Sequence, residues 1–384
     1  MDSKKGILIS VGELFLKSKQ VRNLFQRRLL NNIKFFLKKE KIDFSLFSFR
    51  ERIFIETEKT KRAKRVLKKV FGIAWLSESF FLPKAGLEDI SGFVARNYKS
   101  WIKRGESFAI FLKRGGEIKE KREAIIRKIA QKIERKVDLK KPKRKIFVEA
   151  RKNGWFLYFR KEKGAGGLPL GAGGRALVLM SGGIDSPVAG FLMAKRGVEN
   201  IWLHFHSFPL VSQKSIEKTR ELAEKFLRFQ PKLKVYFFPF SQIQMEIKTK
   251  ALEKYRILLY RRAMLKIARE IAKKENCQAL VTGESLGQVS SQTLPNLAIL
   301  QEKISFPVLR PLIGMDKEEI IALAKKIDTY QISIKPHEDC CSLFVPKKAT
   351  AKGNLELVKS LEKELKTDKM IKKEIKKIKV EIFR

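Results

Sequence analysis

The sequence predicts an α/β protein built in parts, with a doubly wound parallel sheet in its C-terminal half and two smaller α+β units ahead of it. Three observations carry this. From residue 176 onward, short apolar strands alternate with amphipathic helices, the pattern of a parallel sheet with helices on both faces. The stretch from Gly164 to Gly174 consists of Gly and Ala around Leu168-Pro169-Leu170, which reads as a linker or a loop laid over a neighbour. At 384 residues, the chain exceeds what one hydrophobic core organises.

Taken in order, Ile7 to Val11 reads as a strand, Val21 to Lys39 as a helix with apolar Leu24, Leu29, Ile33 and Leu37, and Ile53 to Glu56 as another strand. These make a first unit, residues 1–60. A second, 61–163, has a basic helix to Val70, a strand Phe108 to Leu112, a helix Glu120 to Lys136, and strands Ile146 to Glu149 and Trp155 to Arg160. A Gly-rich linker follows at 164–175. The last part, 176–384, has strands Ala176 to Met180, Ile201 to Phe205, Val235 to Phe238 and Ala279 to Thr282. Its helices are Pro187 to Lys195, Ser215 to Phe229 and a long run from Gln242 to Lys274, and the chain is expected to end in a lysine-rich helix.

Lys and Arg number 84 against 41 Asp and Glu, a net charge of +43. Such an excess makes a polyanion the expected partner, and nucleic acid the leading one. Residues 1–163 hold 45 of the basic and 18 of the acidic residues, so the bias lies on the N-terminal side. Basic and aromatic residues interleave there, as in Lys152, Trp155, Tyr158, Arg160 and Lys161, which suits phosphate contacts. No apolar run approaches the ~20 residues of a spanning helix, so no membrane role is expected and the location is taken as cytoplasmic. The cysteines are Cys277, Cys340 and Cys341, too few for a disulfide scaffold.

The first strand of the C-terminal part runs into Ser181-Gly182-Gly183-Ile184-Asp185-Ser186-Pro187, and a helix follows. Two glycines admit an anion close to the backbone, the serines add hydroxyl donors, and the helix start offers free N–H groups. This is a phosphate-cradling loop. It is neither a Walker A loop nor Gly-x-Gly-x-x-Gly, so neither γ-phosphate transfer nor dinucleotide binding is supported.

Ser-Gly-Gly-x-Asp-Ser after a strand resembles the loop of the PP-loop ATP pyrophosphatases. The surrounding motifs narrow the resemblance to the 4-thiouridine synthetase (tRNA sulfurtransferase, ThiI) family. They are Gly167-Leu168-Pro169-Leu170-Gly171, His204-Phe205-His206-Ser207, Thr282 to Gln288, Ser290 to Leu294, Arg310 to Ile313, Asp316-Lys317-Glu318 and Pro336 to Cys341, with Gly12-Glu13-Leu14 and Lys17 near the start. The resemblance implies an N-terminal ferredoxin-like domain, a THUMP RNA-binding domain and a PP-loop ATP pyrophosphatase domain. It implies an enzyme that adenylates the C4 oxygen of uridine 8 in tRNA and replaces it with sulfur, using ATP and Mg²⁺. Some members also supply sulfur for thiamine thiazole synthesis.

Carried over by resemblance, the ATP-binding residues are Leu179, Met180, Ser181, Gly182, Gly183, Asp185, Ser186, His204, Phe205, Arg261, Gly283 and Gln292. Asp185, Lys317 and Cys340 are the catalytic set, Cys340 at the family's reactive-cysteine position and Cys341 a candidate second thiol. Read from the residues, Asp185 also suits an N-cap of the helix at Pro187, and Lys317 sits at a helix start, where a lysine is disfavoured by the dipole. Glu338 and Asp339 oppose thiolate formation at Cys340. His204 and His206 share one strand face, but without a third clustered ligand no metal site is expected. Many members append a rhodanese domain, and none fits the last forty residues. The expected sulfur source is therefore a separate persulfide donor, such as a cysteine desulfurase, or sulfide. A homodimer is left open.

Three other readings compete: another PP-loop tRNA modifier such as a 2-thiouridine or lysidine synthetase, a THUMP RNA-binding protein with an inactive PP-loop, and an iron–sulfur thiolase using Cys277 with Cys340 and Cys341. The N-terminal basic units weigh against the first, the intact Ser181, Asp185, Gln292 and Cys340 against the second, and the isolated position of Cys277 against the third.

Overall fold

The computed structural model describes residues 3–12, 18–49, 51–302, 304–336, 344 and 349–384. Two compact units divide the chain, residues 1–169 and 170–384.

In the first unit the order is β1 (Lys4–Val11), α1 (Lys19–Lys39), β2 (Ser45–Ser48), β3 (Arg52–Glu56), α2 (Thr60–Leu67), β4 (Ile73–Pro83), α3 (Leu87–Trp101), β5 (Phe108–Arg114), α4 (Arg122–Ala130), β6 (Arg144–Arg151), β7 (Gly154–Tyr158) and β8 (Glu162–Lys163). One sheet runs β2-β3-β1-β4-β7-β6-β5, with β8 added to β4. The alternation of β1 and β3 explains its packing. Ile7, Ile9, Ile53 and Ile55 face Leu29, Ile33, Phe36 and Leu37 of α1, whose spacing makes a single helical stripe. Leu8 and Phe54 point to the opposite face and meet Phe81, Phe156 and Tyr158. Each such fully buried side chain contributes about 1.5–3 kcal/mol.

The sequence reading passes over β4 and α3. Strand β4 lacks clean polar alternation because both of its faces are covered. It pairs with β1 from Ile73 to Phe81 and with β7 from Ser79 to Pro83. Helix α4 stops at Ala130, short of the expected Lys136, because Lys132 and Ile133 bond back to Ile129 and Ala130 and tighten the turn. The Gly-rich stretch is not a free tether. Gly164 and Gly166 donate to Ala74 and Ile73 in the first unit, and Gly171 and Gly173 to Gly197 in the second.

A buried ion pair closes the second face of this sheet. Arg52 and Glu149, 97 positions apart, meet at 3.0 Å with almost no exposure. Ser10 accepts from Arg52, while Arg151 and Tyr158 donate to Glu149. Burial works against the Glu149 carboxylate, but the charge of Arg52 and hydrogen bonds from Arg52 and Arg151 outweigh it and hold its pKa below the usual range. With the folded pKa depressed, the stabilisation is fully present above the unfolded value of about 4.3 and is lost as pH falls through the folded pKa. Glu149→Gln should therefore cost about 3–5 kcal/mol at neutral pH by leaving Arg52 buried without its counter-charge. Urea unfolding at pH 7 and pH 3.5 should show the gap between variant and parent narrowing in acid.

The second unit comprises β9 (Arg175–Leu179), α5 (Asp185–Lys195), β10 (Glu199–His206), α6 (Lys214–Phe226), β11 (Leu233–Pro239), α7 (Ser241–Lys250), α8 (Arg256–Lys274), β12 (Ala279–Val281), α9 (Leu294–Gln301), β13 (Val308–Leu309), α10 (Lys317–Lys326), α11 (Tyr330–Ser333), α12 (Leu355–Glu364), α13 (Thr367–Glu374) and β14 (Lys379–Phe383). Its sheet runs β13-β12-β9-β10-β11-β14. All described pairings are parallel except that of β14 with β11. The strand order reverses between β9 and β12, and a ligand crevice forms at such a switch point beyond the carboxyl ends of the strands.

Two expectations change here. The run from Gln242 to Lys274 breaks at Ala251, which is extended, and resumes through a short 3-10 turn into α8. The expected lysine-rich helix at the end is two short helices and then a strand, because Lys379–Phe383 alternates and completes the ladder beside β11. Within the core, α8 lays Leu258, Leu259, Ala263, Ile267 and Ile271 against the sheet. No helix among the described residues is long and apolar enough to cross a membrane.

Candidate active site

The loop Met180–Ile184 leaves β9 at the switch point and enters α5. Gly182 has φ +81, a left-handed conformation that its missing side chain permits. Ser186 ties the turn from inside: its hydroxyl accepts from the Ser181 N–H at 3.2 Å and lies 3.3 Å from the Ser181 hydroxyl. Gly183 N–H donates to Ser181 Oγ at 3.2 Å. Backbone donors and hydroxyls thus converge beside the start of a helix, where an anion is favoured.

Asp185 is the first residue of α5, not the residue capping it. Its two carboxylate oxygens are engaged separately. Lys317 Nζ lies 2.6 Å from Oδ1, and Gln288 Nε2 donates to Oδ2 at 3.0 Å. Lys317 opens α10, where Asp316 and Glu319 form a reciprocal capping box. The fold therefore places a lysine at a helix start against a carboxylate 132 positions away in the chain.

His204 is fully buried on β10. Its Nδ1 lies 2.8 Å from the Met180 carbonyl, and its Nε2 lies 3.3 Å from Ser215 Oγ. A carbonyl only accepts, so Nδ1 carries a proton and donates to Met180. His204 thereby braces the first residue of the loop. The Phe205 side chain packs edge-on against Phe240 in the core beneath α8, leaving its backbone as the part available to a ligand. His206 is pushed down to about 4 by burial and by Lys379, which keeps it neutral at physiological pH. Among the described residues no group of three or more His, Cys, Asp or Glu side chains is assembled for a metal.

Beyond β12, Gly283 packs against the loop. The 3-10 turn Ser290–Gln292 lies further along, where Arg261 of α8 donates to the Ser291 carbonyl at 2.9 Å and Gln292 Oε1 accepts from Ser285 N–H. Arg261 is also ion-paired with buried Glu284, which in turn binds Arg310 and accepts from Thr282. Of the residues singled out from sequence, Leu179 to Ser186, His204, Gly283 and Lys317 lie in or directly against the loop, and Arg261 and Gln292 border the neighbouring turn. Gln288, Glu284 and Arg310 join them although the sequence reading gave them no role. All three lay within the noted motifs, but nothing in one dimension told which motif residues turn toward the loop. Cys340, Cys341, Glu13, Leu14 and Lys17 lie outside the described residues. Cys277 is buried ahead of β12, at the amino ends of the strands and so away from the loop at their carboxyl ends, and burial pushes its thiol up to about 12.

The Thiamine biosynthesis protein (ThiI) family model matches residues 171–367, and two further models, the ThiI ferredoxin-like domain and the THUMP domain, match 6–77 and 84–160. A probable tRNA sulfurtransferase of Caldanaerobacter subterraneus subsp. tengcongensis is 40% identical over 381 residues, spanning 96% of this chain and 97% of its own. The chain belongs to the ThiI family. A second relative, a probable tRNA sulfurtransferase of Clostridium perfringens, is 37% identical with 97% of each chain covered. Among solved structures, a 4-thiouridine synthetase in complex with RNA and bound ATP superposes with a TM-score of 0.89 at 32% identity, covering 99% of this chain and 100% of that one. A protein of Pyrococcus horikoshii Ot3 follows at 0.64 and 26%, covering 84% of this chain.

In this ThiI-family chain, Gly283 offers a direct test of the loop. A Cβ there would lie 2.9 Å from Ser186 N and 3.0 Å from the Asp185 carbonyl carbon, both backbone atoms. Gly283→Ala must displace the first turn of α5, a strain of about 1–3 kcal/mol. The KM for ATP in pyrophosphate exchange should rise roughly tenfold or more, with only a small drop in melting temperature.

Proposed function

We propose that this chain is an ATP-dependent tRNA sulfurtransferase that converts uridine 8 of tRNA to 4-thiouridine. The observation that carries the proposal is the junction at the switch point, where the Ser181–Ser186 loop meets Lys317 through Asp185, in a chain that matches a 4-thiouridine synthetase along its whole length.

In this reading the loop's N–H groups and serine hydroxyls hold the ATP phosphates at the start of α5, and the backbone of Leu179, Met180 and Phe205 meets the adenine. Gly283, Arg261 and Gln292 line the same nucleotide, and His204 keeps the Met180 carbonyl in place. The uridine O4 attacks the α-phosphorus and pyrophosphate leaves. Lys317 neutralises charge on the phosphates. A sulfur nucleophile then attacks C4, and AMP departs with the original O4. Mg²⁺ suits the donor set, since it binds through one or two carboxylates and the substrate's phosphates, and Asp185 supplies a carboxylate at the loop. When bound, the ion withdraws charge from the phosphate oxygens.

Cys340 carries the sulfur as a persulfide delivered by a separate donor protein; its outer sulfur bonds to C4, and Cys341, the candidate second thiol, attacks the Cys340 sulfur to release 4-thiouridine and leave a Cys340–Cys341 disulfide that an external thiol reduces. Residues before Gly164 hold the tRNA, and residues 176–384 carry adenylation and sulfur transfer. A cytoplasmic setting fits a tRNA substrate. Thiamine thiazole synthesis would draw on the same sulfur relay.

Nucleoside analysis of tRNA from cells lacking the protein is the decisive experiment. Absence of 4-thiouridine, restored by the wild-type chain, is the expected result, and unchanged 4-thiouridine would refute the proposal. Binding should also follow the charge. Log affinity for tRNA should fall linearly with log salt, with a slope of roughly −0.7 to −0.9 per phosphate neutralised. A salt-insensitive affinity would contradict the assignment of the basic N-terminal residues to RNA.

A further inference from the structure

Asn296 sits on α9, fully buried, and uses its amide in three directions at once. Its Nδ2 donates to the Ser290 carbonyl at 2.8 Å and to the Thr350 carbonyl at 2.9 Å, while Oδ1 accepts from Gly353 N–H at 3.0 Å. The first contact lies in the Ser290–Gln292 turn beside Arg261. The other two lie in the segment that follows Cys340 in the sequence, ten and thirteen residues beyond it. That segment is also held by Thr293, whose hydroxyl donates to Ala351 O at 2.6 Å, and by Thr350 N–H bonded to the Lys254 carbonyl. Gly353 is pressed against Asn296: a Cβ there would meet Asn296 Oδ1 at 3.1 Å and the Ile299 and Leu258 methyls at 2.8 Å.

We propose that Asn296 is a positioning residue that holds the nucleotide-side turn and the segment from Thr350 to Gly353 in one register, so that adenylation and sulfur delivery address the same uridine. The inference rests on the reading of Cys340 as the sulfur carrier. The chemistry of the side chain fits the task. Two N–H donors on one nitrogen span two carbonyls from distant segments, and the carbonyl oxygen of the same group takes the amide opposite. Aspartate lacks the two donors, and alanine removes all three bonds that join the two segments. Arg261 fixes the neighbouring Ser291 carbonyl, so the turn is gripped at two consecutive residues from separate helices.

The test measures the KM for ATP, pyrophosphate release and 4-thiouridine formation with a persulfide donor, in the full chain. Asn296→Ala should raise the KM for ATP about fivefold or more and lower thiouridine formed per pyrophosphate released about tenfold. In Gly353→Ala the added Cβ presses on Asn296 Oδ1 and on the flexible Ile299 and Leu258 methyl ends, so the segment carrying Gly353 moves off α9 while Asn296 keeps its bond to Ser290. This variant should lower that ratio about threefold or more while leaving the KM for ATP unchanged. A normal KM and ratio in a folded Asn296→Ala variant overturn the proposal. If that variant does not fold, an unchanged ratio in Gly353→Ala overturns it instead. Cys340→Ser in the same assay separates the two levels: if it makes no thiouridine while Asn296→Ala behaves normally, only the positioning role falls. If Cys340→Ser is fully active, the sulfur reading falls with it.

Discussion

Asp185→Ala is expected to lower AMP transfer by about 10³-fold or more, the scale seen when a preorganised electrostatic group is removed from a reacting centre, while tRNA affinity at fixed salt stays within about twofold. The two readouts part because most of the basic excess lies before residue 164 and the phosphate loop lies after residue 175. Asp185 holds Lys317 on one oxygen and Gln288 on the other. Its removal frees an ammonium that is 43% exposed and can swing into solvent. Lys317→Ala should therefore be damaging in its own right, and the double variant should be little worse than Asp185→Ala, because the two side chains act as one unit. Asp185→Asn separates charge from shape. If it retains near-parental pyrophosphate exchange, the carboxylate charge has no role in handling the phosphates. A comparable loss of tRNA binding in any of these variants would contradict the division of labour along the chain.

Cys340→Ser should abolish 4-thiouridine formation from a persulfide donor while pyrophosphate release continues. Serine cannot hold a transferable sulfur, whereas nothing in the nucleotide loop depends on residue 340. Cys277→Ser is the control, and Cys341→Ser tests the candidate releasing thiol, with a smaller loss expected than in Cys340→Ser. Cys277 should be silent, since burial holds its thiol protonated at physiological pH. Single-turnover assays with pyrophosphate and thiouridine measured in parallel give the answer, repeated with free sulfide. Sulfide rescue of Cys340→Ser would show that the cysteine delivers sulfur without being needed for attack on the adenylated uridine. Full activity of Cys340→Ser with the persulfide donor would remove the covalent relay altogether.

Much of the second unit was legible because its signals are local. A strand, two glycines, hydroxyl residues and a helix follow one another within twenty residues, and the alternation of β9 to β12 with α5 to α8 has short, distinct periods. The roles of Lys317 and Gln288 were harder to read, since each depends on the sheet bringing together segments more than 100 residues apart. The same holds for Glu284, whose two arginine partners come from α8 and from beyond β13. In the first unit β4 was missed because a strand buried on both faces loses its polar alternation. The last strand was misread as helix because its five residues follow a lysine-rich helical run, and only the exposed edge of β11 gives them a different structure.

Strand β4 has a consequence for how the first unit comes apart. Its eleven residues bond to β1 along one stretch and to β7 along another, with β8 fastened to its first half. The halves matched by the ferredoxin-like and THUMP models therefore share a strand rather than a tether. Melting either half strips hydrogen bonds from an element the other half needs, so the pair should denature in a single cooperative transition. Recombination between relatives would have to exchange both halves together, since a crossover inside Ile73–Pro83 would join two half-strands of differing registry.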